Sequence, residues 1–301
     1  MYRRMCALTA AACGALALAL SLAPGASAQS GPRYYLALGD SLSQGVQPNA
    51  AGKSLETNQG YVDQLAAFER HRVPSLRVVK LGCPGDTTGS MLTGHGNGAN
   101  ARLFRCDRAG GSQLTAAERF LRAHHHPGEV ALVTVDIGAN DVDGCANVPA
   151  LQIGSCVSAG EASIKHDLPL ILKRLRKAAP AGTVLADMTL YDPALSGYFS
   201  ADSSARGLAT ASVSFLKQIN AEVTSADSHA GFRTADVAGA FASYDSADHV
   251  QYAGQSVPVN VADVSSWTWA CTPPPRGPNI HANKTGYAVI AAAFRKVIGR
   301  L

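Results

Sequence analysis

Tyr34-Tyr35-Leu36-Ala37-Leu38-Gly39-Asp40-Ser41-Leu42-Ser43-Gln44 is the stretch from which the fold is read. Its first five residues form an apolar run with β-favouring aromatics, the pattern of a strand buried on both faces of a parallel sheet. Gly39 and Asp40 break the run. A glycine there admits backbone angles closed to other residues, and the serine after it is held at the carboxyl end of a strand, where α/β sheets place their ligands. The plainer reading is a turn in which Ser41 only caps a helix. The rest of the chain decides between the two.

Further strands are expected over 76–81, 130–137, 183–188 and 232–237, separated by helices over 61–72, from Thr115, to about Ala179, over 205–226 and over 284–298. Thr115 with Glu118 three residues later reads as a capping box. Residues 86–112 and 143–158 read as loops, 241–278 as a long stretch without periodicity, and Pro169 as a kink. Strands alternating with helices predict a parallel sheet covered on both faces.

The amino terminus predicts a leader rather than part of the fold. Arg3 and Arg4 precede an apolar run from Ala7 to Leu20, and Ala26-Ser27-Ala28 is a small-x-small cleavage site. Residues 1–28 are therefore expected to be a cleaved signal peptide, and residues 29–301 one exported domain. No later segment approaches the ~20 apolar residues of a spanning helix. Without the two leader arginines the formal charge falls from +4 to +2, a balance that argues against nucleic acid as partner. A monomer acting on a small-molecule or lipid ester is expected. Export permits disulfides, and the sequence-local pairs Cys83 with Cys106 and Cys145 with Cys156 would each close a glycine-rich loop, leaving Cys271 unpaired; other pairings of the five stay open.

Acyl transfer by a serine needs a base, donors for the developing oxyanion and a group that holds the base. Ser41 follows the first strand, Gly82 the second and Asn140 the third, so one sheet edge presents all three. His281 is the best base, because Pro278-Asn279-Ile280-His281-Ala282-Asn283 lies just before the last helix, in a loop that such a fold returns to that edge. His71, His95, His166, His229 and His249 read as surface or helix-end residues. His124, His125 and His126, consecutive on a helix, cannot converge on one metal ion. No metal or other cofactor is expected. Asp141 reads as a brace for the turn beside Asn140. Trp267 and Trp269 either line a pocket or pack their loop.

These blocks resemble the GDSL esterases and lipases, or SGNH hydrolases, over essentially the whole chain after the leader. Gly39-Asp40-Ser41-Leu42 is similar to the nucleophile block, Gly82 to the glycine block, Gly138-Ala139-Asn140-Asp141 to the G-x-N-D block and His281 to the histidine block. The resemblance implies a three-layer α/β/α flavodoxin-like fold with a central parallel sheet and cofactor-free ester hydrolysis. Ser41 would be the nucleophile and His281 the general base, with an oxyanion hole from the Ser41 and Gly82 amides and the Asn140 side chain. A glycan O-acetyl esterase, or a non-catalytic wall or glycan-binding protein, are the rival readings.

One departure stands out. The family usually has an aspartate three residues before the histidine; here Pro278 occupies that place, with Asn279 next to it. The backbone carbonyl of either residue, or the Asn279 side chain, is expected to orient His281, unless Asp248 or Asp263 does so from the preceding loop. A neutral acceptor stabilises an imidazolium less than a carboxylate does, so the site is expected to be slower or tuned to a higher pH.

Overall fold

The computed structural model describes residues 31–95, 106 and 111–301; the expected leader lies outside them. Five strands, β1 (Arg33–Ala37), β2 (Leu76–Lys80), β3 (Val130–Thr134), β4 (Val184–Met188) and β5 (Arg233–Ala235), pair in parallel in the order β2-β1-β3-β4-β5. The order reverses between β1 and β3, and in such sheets the crevice at the carboxyl ends flanking the reversal is where ligands bind. Ser41 follows β1 and Asn140 follows β3. The pairing of these two strands runs on past their ends, with the Asp40 amide donating to the Asp136 carbonyl at 3.0 Å.

Both faces are covered, because alternate residues of β1 point into different cores. Tyr35 and Ala37 pack with helices α1 (Tyr61–Glu69) and α9 (Lys284–Ile298), where Tyr61 stacks on Phe294 with ring centroids 5.0 Å apart. Leu36 and Leu38 pack with α3 (Gln113–Ala123), α5 (Ala150–Ala178) and α6 (Ser203–Ala230). Each large side chain buried in these layers contributes about 1.5–3 kcal/mol. The fold is the expected three-layer α/β/α arrangement around a parallel sheet.

Several elements differ from expectation. Helix α3 starts at Gln113, not at a Thr115 cap. Ser112 is the cap, its Oγ accepting from the Thr115 amide at 3.1 Å, while Glu118 receives two 2.8 Å hydrogen bonds from Arg174. Residues 143–158 are not a loop but a 3₁₀ turn (Asp143–Asn147) followed by the first turns of the 29-residue α5. Fully exposed Leu151 breaks the apolar stripe there and hid the helix. Within 86–112, the described part contains the short helix α2 (Thr88–Thr93). Cys83–Cys106 and Cys145–Cys156 are bridged, and Cys271 is free.

The stretch 241–278, which follows the single-turn helix α7 (Val237–Ala240), is ordered as well. It contains a hairpin of β6 (His249–Tyr252) and β7 (Gln255–Pro258), helix α8 (Val259–Trp267) and strand β8 (Thr268–Trp269), which pairs antiparallel with β9 (Asn279–Ala282). The hairpin turns at Ala253 (φ 49°) and Gly254 (φ 83°). Positive φ at an alanine is uncommon, so the sequence lacks the Asn-Gly or Asp-Gly signature of such turns. His281 therefore sits on a short strand rather than in a loop.

Below the sheet edge, Asp187 on β4 and Asp227 on α6 are both fully buried. Asp187 is held well above the usual carboxylate range by burial and by the neighbouring Asp227. The folded state thus keeps a proton that the unfolded chain releases above about pH 4, so this pair loses stability as pH rises. Asp187→Asn keeps the oxygen that accepts the Met188 amide at 2.8 Å and supplies a permanent donor to Asp227. Thermal unfolding at pH 8 should shift upward by roughly 2–6 °C in this variant. The gain should shrink towards pH 4.

Candidate active site

The site starts at the turn after β1. Gly39 has φ 138°, and a side chain there would strike the Asp136 carboxyl, so only glycine fits. Its amide donates to Gln113 Oε1 at 2.7 Å, and its carbonyl accepts from Gln113 Nε2 at 2.8 Å and from the Cys83 amide at 3.0 Å. Asp40 follows, 2% exposed, with Oδ1 accepting from the Leu42 amide at 2.9 Å and Ser41 Oγ at 3.4 Å, and Oδ2 accepting from Asn140 Nδ2 at 3.1 Å. Burial raises the Asp40 carboxyl to about 6. Asp136 behind it, also buried, is raised well above the carboxylate range by burial and by the Asp40 charge. Tyr61 Oη and the Ser43 amide donate to Asp136 at 2.8 and 3.0 Å.

Asn140 sits in α4 (Ala139–Val142), the single turn that follows β3. Helix α5 crosses it at Gly160, where a β-carbon would run into the Asp141 carbonyl and the Val142 side chain. Asp141 braces a more distant element than its own turn, accepting from the Thr88 amide at 2.9 Å and Thr88 Oγ1 at 2.7 Å. The second N–H of Asn140 goes to the Asp86 carbonyl at 3.0 Å. The loop carbonyl in contact with Asn140 is thus that of Asp86, the residue after Gly85, whereas the α-carbon of Gly82 faces the Ser43 and Gln44 side chains. The amides of Ser41, Gly82 and Gly85 have no acceptor among the described residues. Gly85 therefore joins Gly82 as a candidate for the loop amide.

His281 is oriented by Asn279. Asn279 Oδ1 accepts from the His281 amide at 3.0 Å and lies 2.7 Å from Nδ1, and Asn279 Nδ2 donates to Ser54 Oγ at 3.1 Å. A backbone N–H can only donate, so the amide orientation follows, Nδ1 carries the proton and Nε2 is left with its lone pair. The Nδ1 partner is neither Asp248 nor Asp263. Tyr191 Oη donates to the Ile280 carbonyl at 2.8 Å and steadies β9. Burial pushes the His281 imidazole down to about 4, the opposite direction from the higher-pH tuning expected. Desolvation disfavours the imidazolium, and no carboxylate offsets it.

Ser41, Asn140 and His281 line one cavity of ≈770 Å³. No hydrogen bond joins Ser41 to His281 among the described residues; such contacts tighten when substrate binds. The rest of the wall is mostly apolar, including Val142, Ile153, Leu190, Leu208, Phe215 and Leu216, and its carboxyl residues are Asp40, Asp143, Asp192 and Asp202. Burial raises Asp143 to about 8 and Asp192 to about 6, so near neutral pH Asp143 is mostly uncharged. Neither Trp267 nor Trp269 lines the cavity. Trp267 packs edge-on against Phe241, and Arg276 lies over Trp269.

Three of the four blocks, those of Ser41, Asn140 and His281, thus meet on one cavity, and Gly82 lies outside its wall. The family model described as GDSL-like Lipase/Acylhydrolase matches residues 37–289. The chain belongs to the GDSL-like lipase/acylhydrolase family. It is accordingly a carboxylic ester hydrolase. Similar solved structures include a phospholipase A1 from Streptomyces albidoflavus, with 15% identity over 88% of this chain and 99% of that chain and a TM-score of 0.50. An extracellular lipase from Streptomyces rimosus has 20% identity over 70% and 82%, TM-score 0.46, and an acetyl xylan esterase from Geobacillus stearothermophilus 16% over 90% and 96%, TM-score 0.49. At these identities the likeness is one of fold. No curated protein matches by sequence.

Within this GDSL-family chain, the sequence reading missed Gln113, Asp136 and Gly85. Gln113 and Asp136 are 1% exposed. Buried polar residues at a strand end or in the first turn of a helix were the available signal, since such groups are seldom buried without a partner. His124 contacts Glu129 at 2.7 Å, and no group of three or more metal-ligating side chains occurs among the described residues.

Proposed function

We propose that this family member is an exported serine esterase that cleaves esters of apolar acyl chains through an acyl-enzyme on Ser41. His281 Nε2 takes the Ser41 hydroxyl proton as Oγ bonds to the ester carbon. The oxyanion receives hydrogen bonds from the Ser41 amide, a loop amide of Gly82 or Gly85, and Asn140 Nδ2, which exchanges one of its present acceptors for it. The imidazolium then gives its proton to the leaving alkoxide. Water, deprotonated by the same nitrogen, releases the carboxylic acid and restores Ser41. Asn279 Oδ1 holds Nδ1–H throughout, in the place a carboxylate fills elsewhere.

The observation that carries this reading is the shared cavity: Ser41, Asn140 and His281 open onto a mostly aliphatic wall. A glycan acetyl esterase calls instead for a shallow, polar and aromatic cleft, and the non-catalytic reading rests on the missing aspartate, in whose place Asn279 offers an acceptor. Export is supported by the two disulfides.

A series of p-nitrophenyl esters of increasing chain length, assayed beside an acetylated sugar, tests it. Each buried methylene contributes ~0.8 kcal/mol, roughly fourfold in kcat/KM, so a hexanoyl ester should exceed the acetyl ester by more than tenfold. A preference for the acetylated sugar, or a flat series, overturns the acyl reading.

A further inference from the structure

Gln113 lies outside the cavity wall, yet it touches both halves of the site. Its Oε1 accepts from the Gly39 amide at 2.7 Å; its Nε2 donates to the Gly39 carbonyl at 2.8 Å and to Asp86 Oδ2 at 2.8 Å. Gly39 lies two residues before Ser41. The Asp86 carbonyl accepts from Asn140, and its Oδ1 accepts from Ser90 Oγ at 2.9 Å, which ties the same residue to α2. Gln113 itself is 1% exposed at the start of α3, a helix seated against the sheet by Leu114, Ala117 and Leu121. One rigidly held carboxamide thus spans the end of β1 and the loop after β2.

We propose that Gln113 is a positioning residue for hydrolysis, which sets the Ser41 amide and Asn140 at the separation an oxyanion requires. This rests on the roles of Ser41 and Asn140 proposed above. A primary carboxamide suits the place because it offers one acceptor and two donors in a plane, to a peptide N–H, a peptide carbonyl and a carboxylate. An aliphatic residue there would leave buried groups at Gly39 and Asp86 without these hydrogen bonds and free the two turns to move apart. Misplacement by about 1 Å costs on the order of 10²-fold in rate.

The test uses the full chain with a soluble p-nitrophenyl ester. Gln113→Ala should lower kcat by roughly 10- to 100-fold with KM within about twofold, since the cavity wall is untouched. It should slow fluorophosphonate labelling of Ser41 to a similar extent. Gln113→Glu keeps the acceptor for the Gly39 amide and loses the donors. The introduced carboxyl faces Asp86, with Asp40 and Asp136 on the far side of Gly39, so it is driven to take up a proton, and that proton restores one donor. Its kcat relative to wild type should therefore rise as pH falls from 8 to 5. A merely structural role would not give that recovery. Unchanged kcat and labelling in Gln113→Ala, or a ratio for Gln113→Glu that is flat with pH, overturns the proposal. Should Gln113→Ala fail to fold, the pH profile of Gln113→Glu decides. A wild type that neither hydrolyses esters nor labels defeats the underlying reading instead, and this proposal with it.

Discussion

Ser41→Ala is expected to lower kcat for ester hydrolysis by roughly 10⁴- to 10⁶-fold and to abolish labelling by a fluorophosphonate. The size follows from what is lost. Without Oγ there is no acyl-enzyme, and the remaining oxyanion donors and cavity act only on direct attack by water. His281→Ala should fall into the same range, because a serine hydroxyl without a base is a weak nucleophile at neutral pH. The double variant should be scarcely worse than either single one, since the two residues act as a unit. Stability is the control: among the described residues the one hydrogen bond of Ser41 Oγ, to Asp40, is 3.4 Å long, so Ser41→Ala should unfold within about 0.5 kcal/mol of wild type. Labelling that persists in Ser41→Ala would place the nucleophile elsewhere.

The second large effect is expected at Asn279. Asn279→Ala removes the acceptor of Nδ1–H, so the ring can populate the tautomer whose Nε2 is protonated and useless as a base. A drop of ~10²- to 10⁴-fold in kcat is expected. Asn279→Asp moves the site the other way. With the neutral carboxamide and burial, the imidazole stays unprotonated down to about 4, so wild-type kcat/KM should hold its His281 limb into acid and lose it only as pH falls through that value. A carboxylate at the same position stabilises the imidazolium and raises the pKa to the ordinary ~6.5 or above, so the variant should already be failing at pH 5. At pH 8 it should be at least as fast as wild type, because the carboxylate also stabilises the imidazolium that forms during reaction. Asp40 and Asp192, both raised to about 6, are common to the two proteins, so the displacement between the profiles isolates residue 279. Two superimposed profiles would show that Asn279 does not act on His281.

How much of this was legible beforehand depended on whether a residue's role was local. The strands β1 and β3 announce themselves through continuous apolar runs, and Gly39 and Gly138 mark where those runs must turn. Ser41, Asn140 and His281 were legible because each stands in a short block with its own turn signal. Gln113 was not, since its partners Gly39 and Asp86 lie 74 and 27 residues away and leave no periodicity around it. The hairpin at 249–258 was hidden by an alanine at positive φ, and the start of α5 by an exposed leucine. The Asn279 side chain could be named as one of several acceptors; the short strand that turns its Oδ1 onto both the His281 amide and Nδ1 selected it, with Ser54 holding the other end of the carboxamide.

The cavity wall and the proposed reacting groups come from different parts of the chain. Ser41 and Asn140 stand at the ends of two neighbouring strands and His281 on a third, whereas the apolar wall is drawn largely from the segments that follow β3 and β4, one of them fastened by Cys145–Cys156. Chemistry and choice of substrate are therefore separable inheritances in this protein. The wall can be exchanged, lengthened or narrowed to suit another ester while the strand ends proposed to break the bond stay as they are.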